Sequence, residues 1–258
     1  MTRLVIEERH AGKPAHEEAL LAKHATTLGW EIVPMTWKPF VRQQFTIEAE
    51  DVVAGSVRFV RDALQTRGKD LPRPNPYPES LRAYLHRRVW WSQSLGVALN
   101  AYPGAFVKPA KRWKLFTGFI PDGPNDGRLH GVSRREPVWC SEPVRFLSEW
   151  RVYVIRGEPQ YIALSNFGGD RTQETSINTV AAGVKAYEAS GEAPSAYAID
   201  FGVLSTGETA LIEVNDGFSV GAYDNIPASV YFDLIATRWQ ELAAMSAAAK
   251  LTITAGAK

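Results

Sequence analysis

One short segment divides the sequence into two parts, because it carries prolines at four alternate positions: Pro72, Pro74, Pro76 and Pro78. Proline lacks a backbone N–H and has a fixed φ, so such a run cannot lie inside a helix or a central strand. We therefore predict a domain boundary in this segment. A chain of 258 residues is long enough to form two domains, which we place at residues 1–75 and 76–258.

The N-terminal part alternates between strand-like and helix-like patterns of apolar residues. These patterns predict strands at 3–7, 30–33 and 51–53, and helices at 14–28 and 56–66. Strands that alternate with helices are typical of a parallel sheet. We expect a small α/β layer here.

The larger part has short strands that are separated by turns. The predicted strands lie at 105–108, 115–120, 138–140, 150–155, 160–164, 196–203 and 209–215, and the predicted helices lie at 80–96 and 228–248. This texture indicates an α+β arrangement, so the fold class of the whole chain is α/β plus α+β.

Composition and charge exclude several classes of protein. The formal net charge is +1, so there is no bulk electrostatic attraction for nucleic acid or for an anionic membrane. No apolar run approaches the ~18 residues of a membrane span. Cys140 is the only cysteine, which excludes an internal disulfide and a cysteine-based metal site. We expect a cytoplasmic globular protein whose sequence is compatible with oligomers.

Two strands late in the sequence form a predicted hairpin. Residues 197–204 and 209–215 are joined by a Thr-Gly centred turn. In the register that this turn implies, Asp200 lies directly across from Glu213, and Asn215 follows on the same face. Strict alternation places Leu211 on this face too, and Ile212 on the opposite one.

Two opposed carboxylates and a neighbouring amide have two interpretations. The carboxylates repel each other unless a divalent cation reverses the sign, and oxygen-only ligands suit Mg²⁺ or Mn²⁺. Asp200, Glu213 and Asn215 are therefore candidate metal ligands. The alternative is a solvated polar face of the sheet, where most such side chains occur.

Two lysines lie at the ends of consecutive predicted strands. Lys108 ends an apolar strand, where an uncompensated ammonium group is costly, and Lys114 begins the next strand. Lysines on adjacent strands can contact phosphate oxygens. The sequence contains no G-x-x-x-x-G-K-[ST] motif, so this is not a P-loop site.

Four short motifs follow one another in the larger part: Phe-Val-Lys-Pro at 106–109, Ser-Glu-Pro-Val at 141–144, Glu-Trp-Arg at 149–151 and Ile-Glu-Val-Asn at 212–215. Taken alone, Glu149 and Arg151 indicate only a surface ion pair. Taken in order, the motifs resemble the ATP-grasp superfamily of carboxylate–amine ligases. The N-terminal layer matches the small pre-ATP-grasp domain of that family, so the resemblance covers nearly the whole chain.

The resemblance implies a fold in which ATP lies between two α+β subdomains. The implied roles are contacts with the phosphates and the adenine side for Lys108 and Lys114, adenine-edge contacts for Glu142, Pro143 and Val144, ribose contacts for Glu149, Mg²⁺ binding for Asp200, Glu213 and Asn215, and contacts with the γ-phosphate or an acyl phosphate for Arg151. One departure from the family pattern precedes Asp200. Many such ligases have an arginine there, whereas this chain has Tyr197–Ala–Ile, so Arg151 or Arg171 is the expected oxyanion donor.

The resemblance also implies the reaction. An ATP-dependent carboxylate–amine ligase phosphorylates a carboxylate to an acyl phosphate, which an amine attacks with release of ADP and phosphate. The expected substrates are a small-molecule or peptide carboxylate and an amine, in contact with Arg171, Ser219 and Tyr223.

Two other functions remain open from the sequence. One is a metal-dependent nuclease that uses Asp200 and Glu213, with Lys108 beside the scissile phosphate. The other is an ATP-binding module that has lost catalysis. The Ser-Glu-Pro-Val segment with Val144 favours adenine binding over the nuclease, and the complete metal set favours a catalytic protein.

Overall fold

The N-terminal part forms a parallel α/β layer. The computed structural model describes residues 2–8, 15–165, 169–223 and 225–245. The layer consists of β1 (Arg3–Glu7), α1 (His16–Thr27), β2 (Glu31–Met35), α2 (Lys38–Val41), β3 (Val52–Ala54) and α3 (Val57–Thr66), with the sheet order β2-β1-β3. All three strands are parallel, as predicted. Pro14, where the first helix is predicted to begin, lies outside the described residues.

The second sheet corrects the predicted helix at 80–96. That segment forms a 3₁₀ helix at Glu79–Tyr84, then β4 (Val89–Ser92) and the start of α4 (Leu95–Ala101). β4 pairs antiparallel with β6 (Val138–Ser141), which also pairs with β5 (Phe106–Pro109). The prediction is wrong because the aromatic and β-branched side chains of β4 gain a sheet partner, and such pairing outweighs local helix propensity.

The third sheet is antiparallel and contains the predicted hairpin. Its order is β10-β9-β7-β8, with β7 (Phe146–Ile155), β8 (Glu158–Leu164), β9 (Ala196–Leu204) and β10 (Thr209–Asp216). β9 is buried along its whole length. β10 is an edge strand, so the backbone groups on its outer side need partners from outside the sheet.

The sequence analysis missed a helix that packs on the third sheet. Helix α5 (Ile177–Ala189) begins after Ser176, whose side chain caps its first turn. Its buried side chains join a hydrophobic cluster with residues of β7 and β9: Val180, Val184 and Tyr187 with Val152, Ile199 and Phe201.

The predicted strand at 115–120 is a loop. Its bridge to β5, between Phe119 and Val107, is isolated. Lys114 has a left-handed φ of 49°, which interrupts an extended strand. Trp113 donates a hydrogen bond from Nε1 to the Pro72 carbonyl at 2.8 Å, which fastens the loop to the proline-rich segment.

Helix α6 (Ala228–Ala244) packs against the N-terminal layer. Trp239 is 1% exposed and donates from Nε1 to the Asp51 carbonyl at 2.6 Å. One hydrophobic cluster contains residues of β1, β3, α3 and α6, so the boundary at residue 75 stays a prediction. Residues 246–248 of the predicted helix lie outside the described residues. Neither α6 nor another helix of the described ranges is long and apolar enough to cross a membrane.

Candidate active site

A cavity of about 700 Å³ lies between the second and third sheets. Its wall contains most of the predicted site residues: Lys108, Lys114, Glu142, Pro143, Val144, Glu149, Arg151, Glu213, Asn215, Ser219 and Tyr223. Asp200 lies beneath this wall and is 1% exposed. Arg171 is exposed on a turn and does not belong to the wall as the described residues form it.

A buried ion pair forms the base of the site. Arg151 on β7 and Asp200 on β9 are paired residues in the sheet. The guanidinium donates from Nε to Oδ1 at 2.8 Å and from Nη2 to Oδ2 at 2.7 Å. Burial disfavours the charged guanidinium, but the adjacent carboxylate outweighs this effect and raises the pKa of Arg151. This is a bidentate pair held in an apolar setting, not the surface ion pair with Glu149 that spacing indicates.

A second ion pair and a bridging amide complete the polar cluster. Lys108 donates from Nζ to Oε2 of Glu213. Asn215 donates from Nδ2 to Oδ2 of Asp200 at 2.9 Å and to Oε1 of Glu213 at 3.1 Å. Burial raises the pKa of Glu213, but Lys108 outweighs it, so this pKa lies below its ordinary value. The repulsion expected between the two carboxylates is thus offset by two cations of the protein.

The cluster consists of two carboxylates and an amide. Within the described ranges, no group of three or more His, Cys, Asp or Glu side chains is placed to hold a metal ion. Glu213 and Asn215 are half-buried at the cavity wall, whereas Asp200 is covered by Arg151 and Asn215.

A β-bulge in β10 directs Glu213 into the site. The predicted pairing of Glu213 with Asp200 is confirmed, but the register shifts between Leu211 and Glu213, so Ile212 is an extra residue. Leu211 consequently packs in the core on the opposite face, and Ile212 lines the cavity. The predicted alternation is wrong at these two positions because a bulge changes the direction of the side chains beside it.

The connection between β6 and β7 forms the opposite end of the cavity. Glu142, Pro143 and Val144 are exposed there. The side chain of Glu142 accepts a hydrogen bond from Arg88 N at 2.9 Å and therefore turns back toward β4. Farther along, Glu149 accepts a hydrogen bond from Tyr223 Oη at 3.2 Å, and burial raises its pKa.

The loop between β5 and β6 contacts the segment that follows β10. Lys114 donates from Nζ to the Ser219 carbonyl at 2.6 Å. The Trp113 ring lies edge-on to Phe218, with ring centroids 5.1 Å apart. Lys114 therefore reaches the cavity from a loop, whereas the sequence predicted a strand at this position.

Tyr153 is a site-supporting residue that sequence reasoning missed. Its hydroxyl accepts a hydrogen bond from Tyr223 N at 2.8 Å and donates to the Gly221 carbonyl at 3.0 Å. The Tyr223 ring in turn lies 4.0 Å from the guanidinium carbon of Arg151. A sequence signal existed, because Tyr153 and Arg151 are two residues apart on one strand and so share a face.

A comparison with protein families matches the part of the chain that forms this cavity. A family model described as an ATP-grasp domain, clade family 2, matches residues 84–232. This range contains β4 to β10. No curated protein matches the chain at a significant level.

Solved structures of ATP-grasp ligases have a similar fold. The macrocyclase MdnC from Microcystis aeruginosa MRC, bound with precursor peptide MdnA, is 13% identical with a TM-score of 0.51, over 92% of this chain and 99% of that chain. N5-carboxyaminoimidazole synthetase from Staphylococcus aureus is 10% identical with a TM-score of 0.51, over 93% and 77%. An ADP complex of N5-carboxyaminoimidazole ribonucleotide synthetase is 15% identical with a TM-score of 0.51, over 83% and 69%. At these identities the similarity concerns the fold.

Proposed function

Because the chain belongs to the ATP-grasp family, we propose that it is an ATP-dependent ligase that joins a carboxylate to an amine. One observation carries the proposal: the cavity wall combines Lys108 and Arg151 with Glu213 and Asn215, above the buried Asp200. Cationic side chains and oxygen ligands around one enclosed space are the groups that phosphoryl transfer requires.

The nucleotide is proposed to lie along the cavity from the β6–β7 connection to β10. The backbone of residues 142–144 and the side chain of Val144, which is 38% exposed, hold the adenine. Glu149 accepts hydrogen bonds from the ribose hydroxyls. The phosphates reach Lys108, and Lys114 adds a second positive charge from the loop above.

The donor set fits Mg²⁺ or Mn²⁺, because two carboxylates and an amide offer only hard oxygen ligands. Asp200, Glu213 and Asn215 would hold the ion. When bound, it would offset the negative charge of the phosphates. Glu213 would then no longer need Lys108 as its counter-ion, which frees the ammonium group for phosphate oxygens.

The residues around the cavity suit a reaction through an acyl phosphate. Transfer of the γ-phosphoryl group to the substrate carboxylate gives ADP and an acyl phosphate. The amine then forms the C–N bond, and phosphate leaves with the electrons of the broken C–O bond. Arg151 and Lys108 stabilise the negative charge on the phosphoryl oxygens. The loop with Trp113 and Lys114 shields the intermediate from water.

The proposed substrates are a carboxylate and an amine of either small-molecule or peptide origin. Among the solved structures named above, one is a macrocyclase bound with a precursor peptide and two are synthetases named for a small molecule. Ser219 and Tyr223 at the cavity wall, with Arg171 outside it, are the proposed contacts with these substrates.

The test is a product screen. The protein is incubated with ATP, Mg²⁺ and pooled carboxylates and amines, and the mixture is analysed by mass spectrometry. We expect ADP and phosphate together with a new amide, and no amide with Glu213→Gln. Release of AMP and pyrophosphate would exclude the acyl phosphate, and metal-dependent cleavage of nucleic acid without ATP would support the nuclease alternative.

A further inference from the structure

Arg87 joins the β-bulge of β10 to the start of the β6–β7 connection. It is half-buried, in the short segment between the 3₁₀ helix and β4, and it lines the cavity. Its Nη1 donates to the Leu211 carbonyl at 2.6 Å, and its Nη2 donates to the Ile212 carbonyl at 2.9 Å. Its Nε donates to Oγ of Ser141 at 3.1 Å. These three partners are neutral acceptors.

The two carbonyls belong to the residues at which the register of β10 shifts. β10 is an edge strand, so these oxygens have no further strand to accept from. The planar fork of a guanidinium can bind two neighbouring carbonyls at once, which an ammonium group cannot do. Arg87 therefore holds the bulge in the shape that turns Glu213 toward Asp200.

The other end of Arg87 reaches the backbone that is proposed to hold adenine. Ser141 Oγ, which accepts from Arg87, donates to the Glu142 carbonyl at 2.7 Å. A continuous chain of hydrogen bonds thus runs from Glu142 through Ser141 and Arg87 to the bulge. The adenine end and the metal end of the cavity share one side chain.

We propose that Arg87 is a positioning residue that couples nucleotide binding to binding of the divalent cation. The proposal rests on the proposed function, since it assigns the two ends of the cavity to these two ligands. Ordering of residues 141–144 by the nucleotide is transmitted through Arg87 to the bulge that presents Glu213 and Asn215. Coupling of this kind is reciprocal, so the cation must strengthen nucleotide binding by the same factor.

The experiment measures the affinity for ADP by calorimetry, once with excess Mg²⁺ and once with a chelator. The ratio of the two dissociation constants is the coupling factor. In Arg87→Lys, which keeps the charge but loses the fork, we expect this factor to fall roughly 10-fold or more, as loss of groups that orient metal ligands does elsewhere. Arg82→Lys is the matched control, because Arg82 lies on the exposed 3₁₀ helix and pairs with Glu79.

A merely structural role of Arg87 would lower the melting temperature and leave the coupling factor unchanged, and this result would overturn the proposal. Addition of methylguanidinium to Arg87→Ala should restore the factor, which it cannot do for a global loss of stability. If neither Arg87 variant folds, Ser141→Ala decides, because it removes the link to Glu142 alone; an unchanged factor there overturns the coupling. Wild-type protein that binds ADP without any effect of Mg²⁺ would refute the metal site and the coupling together, whereas a normal factor in wild type and Arg87→Lys alike would refute only the coupling.

Discussion

Lys108 and Glu213 form an ion pair that joins two sheets across the wall of the cavity. Lys108 lies on β5 and Glu213 on β10, which belong to the second and third sheets. Burial opposes the charge of both groups, but their mutual attraction is larger, so the pKa of Lys108 is raised and that of Glu213 is lowered. The pair therefore stabilises the fold and occupies the groups that the proposed ligands need.

Lys108→Met should lower the stability most between about pH 4.3 and pH 10.4, the ordinary pKa values of the two groups. A carboxylate with a lowered folded pKa contributes stability above its unfolded pKa, and this contribution is lost as the pH falls through the folded pKa. A lysine with a raised folded pKa contributes below its unfolded pKa, and loses the contribution as the pH rises through the folded pKa. Urea unfolding at a series of pH values measures the difference from wild type.

Lys111→Met is the control for this substitution, because Lys111 is exposed on the following loop. Its stability should follow that of wild type at every pH. A destabilisation by Lys108→Met that is equally large at every pH would contradict an origin in this ion pair.

Glu213→Ala should abolish the part of ATP binding that depends on Mg²⁺. Protection against unfolding is a direct readout, because a ligand at roughly 100 times its Kd stabilises the folded protein by about 2.7 kcal/mol. Wild type should show this protection with ATP and Mg²⁺, and the variant should lose most of it. Glu208→Ala, in the exposed turn of the same hairpin, should keep it. If ATP and Mg²⁺ protect Glu213→Ala as well as wild type, the metal assignment is wrong.

Asp200→Asn should destabilise the protein by about 3–5 kcal/mol, because it leaves the buried Arg151 guanidinium without a compensating charge. The double variant with Arg151→Met should recover part of this loss, since neither charge then remains in the sheet. Chemical denaturation of the four proteins of the cycle gives the coupling energy. Losses that simply add would show that the two side chains do not act as a pair.

Trp113→Ala should uncouple ATP hydrolysis from ligation. The indole fastens the loop above the cavity through Pro72 and Phe218, so its removal admits water to the acyl phosphate. We expect more ADP per molecule of amide product than in wild type, measured by parallel assays of the two products. Trp91→Ala, at an exposed position on β4, is the control. An unchanged ratio would exclude the loop as the barrier to water.

The hairpin and its two carboxylates could be predicted because their determinants are local. A turn of a few residues sets the register that brings Asp200 opposite Glu213. The bulge beside Glu213 could not be predicted, because the side chain that binds its carbonyls, Arg87, lies 124 residues earlier than Leu211. The counter-ions Arg151 and Lys108 are also distant in sequence from the carboxylates that they bind.

Helix α5 was within reach of the sequence, because Val180, Val184 and Tyr187 recur at helical spacing after the capping Ser176. β4 was not, because its aromatic residues acquire a sheet partner only when β6 is in place. The family match confirms the resemblance, whereas the roles of single residues remain proposals that the variants above test.

The packing of α6 against the N-terminal layer has a consequence for biosynthesis. A ribosome completes residues 2–75 long before it reaches Ala228–Ala244, yet Trp239 and its neighbours fill the core beneath β1 and β3. The nascent layer therefore exposes an apolar surface until α6 emerges, and such surfaces are bound by chaperones or aggregate. Stalled or truncated chains that lack α6 should be recognised as unfinished, so that quality control acts on this protein at its last helix.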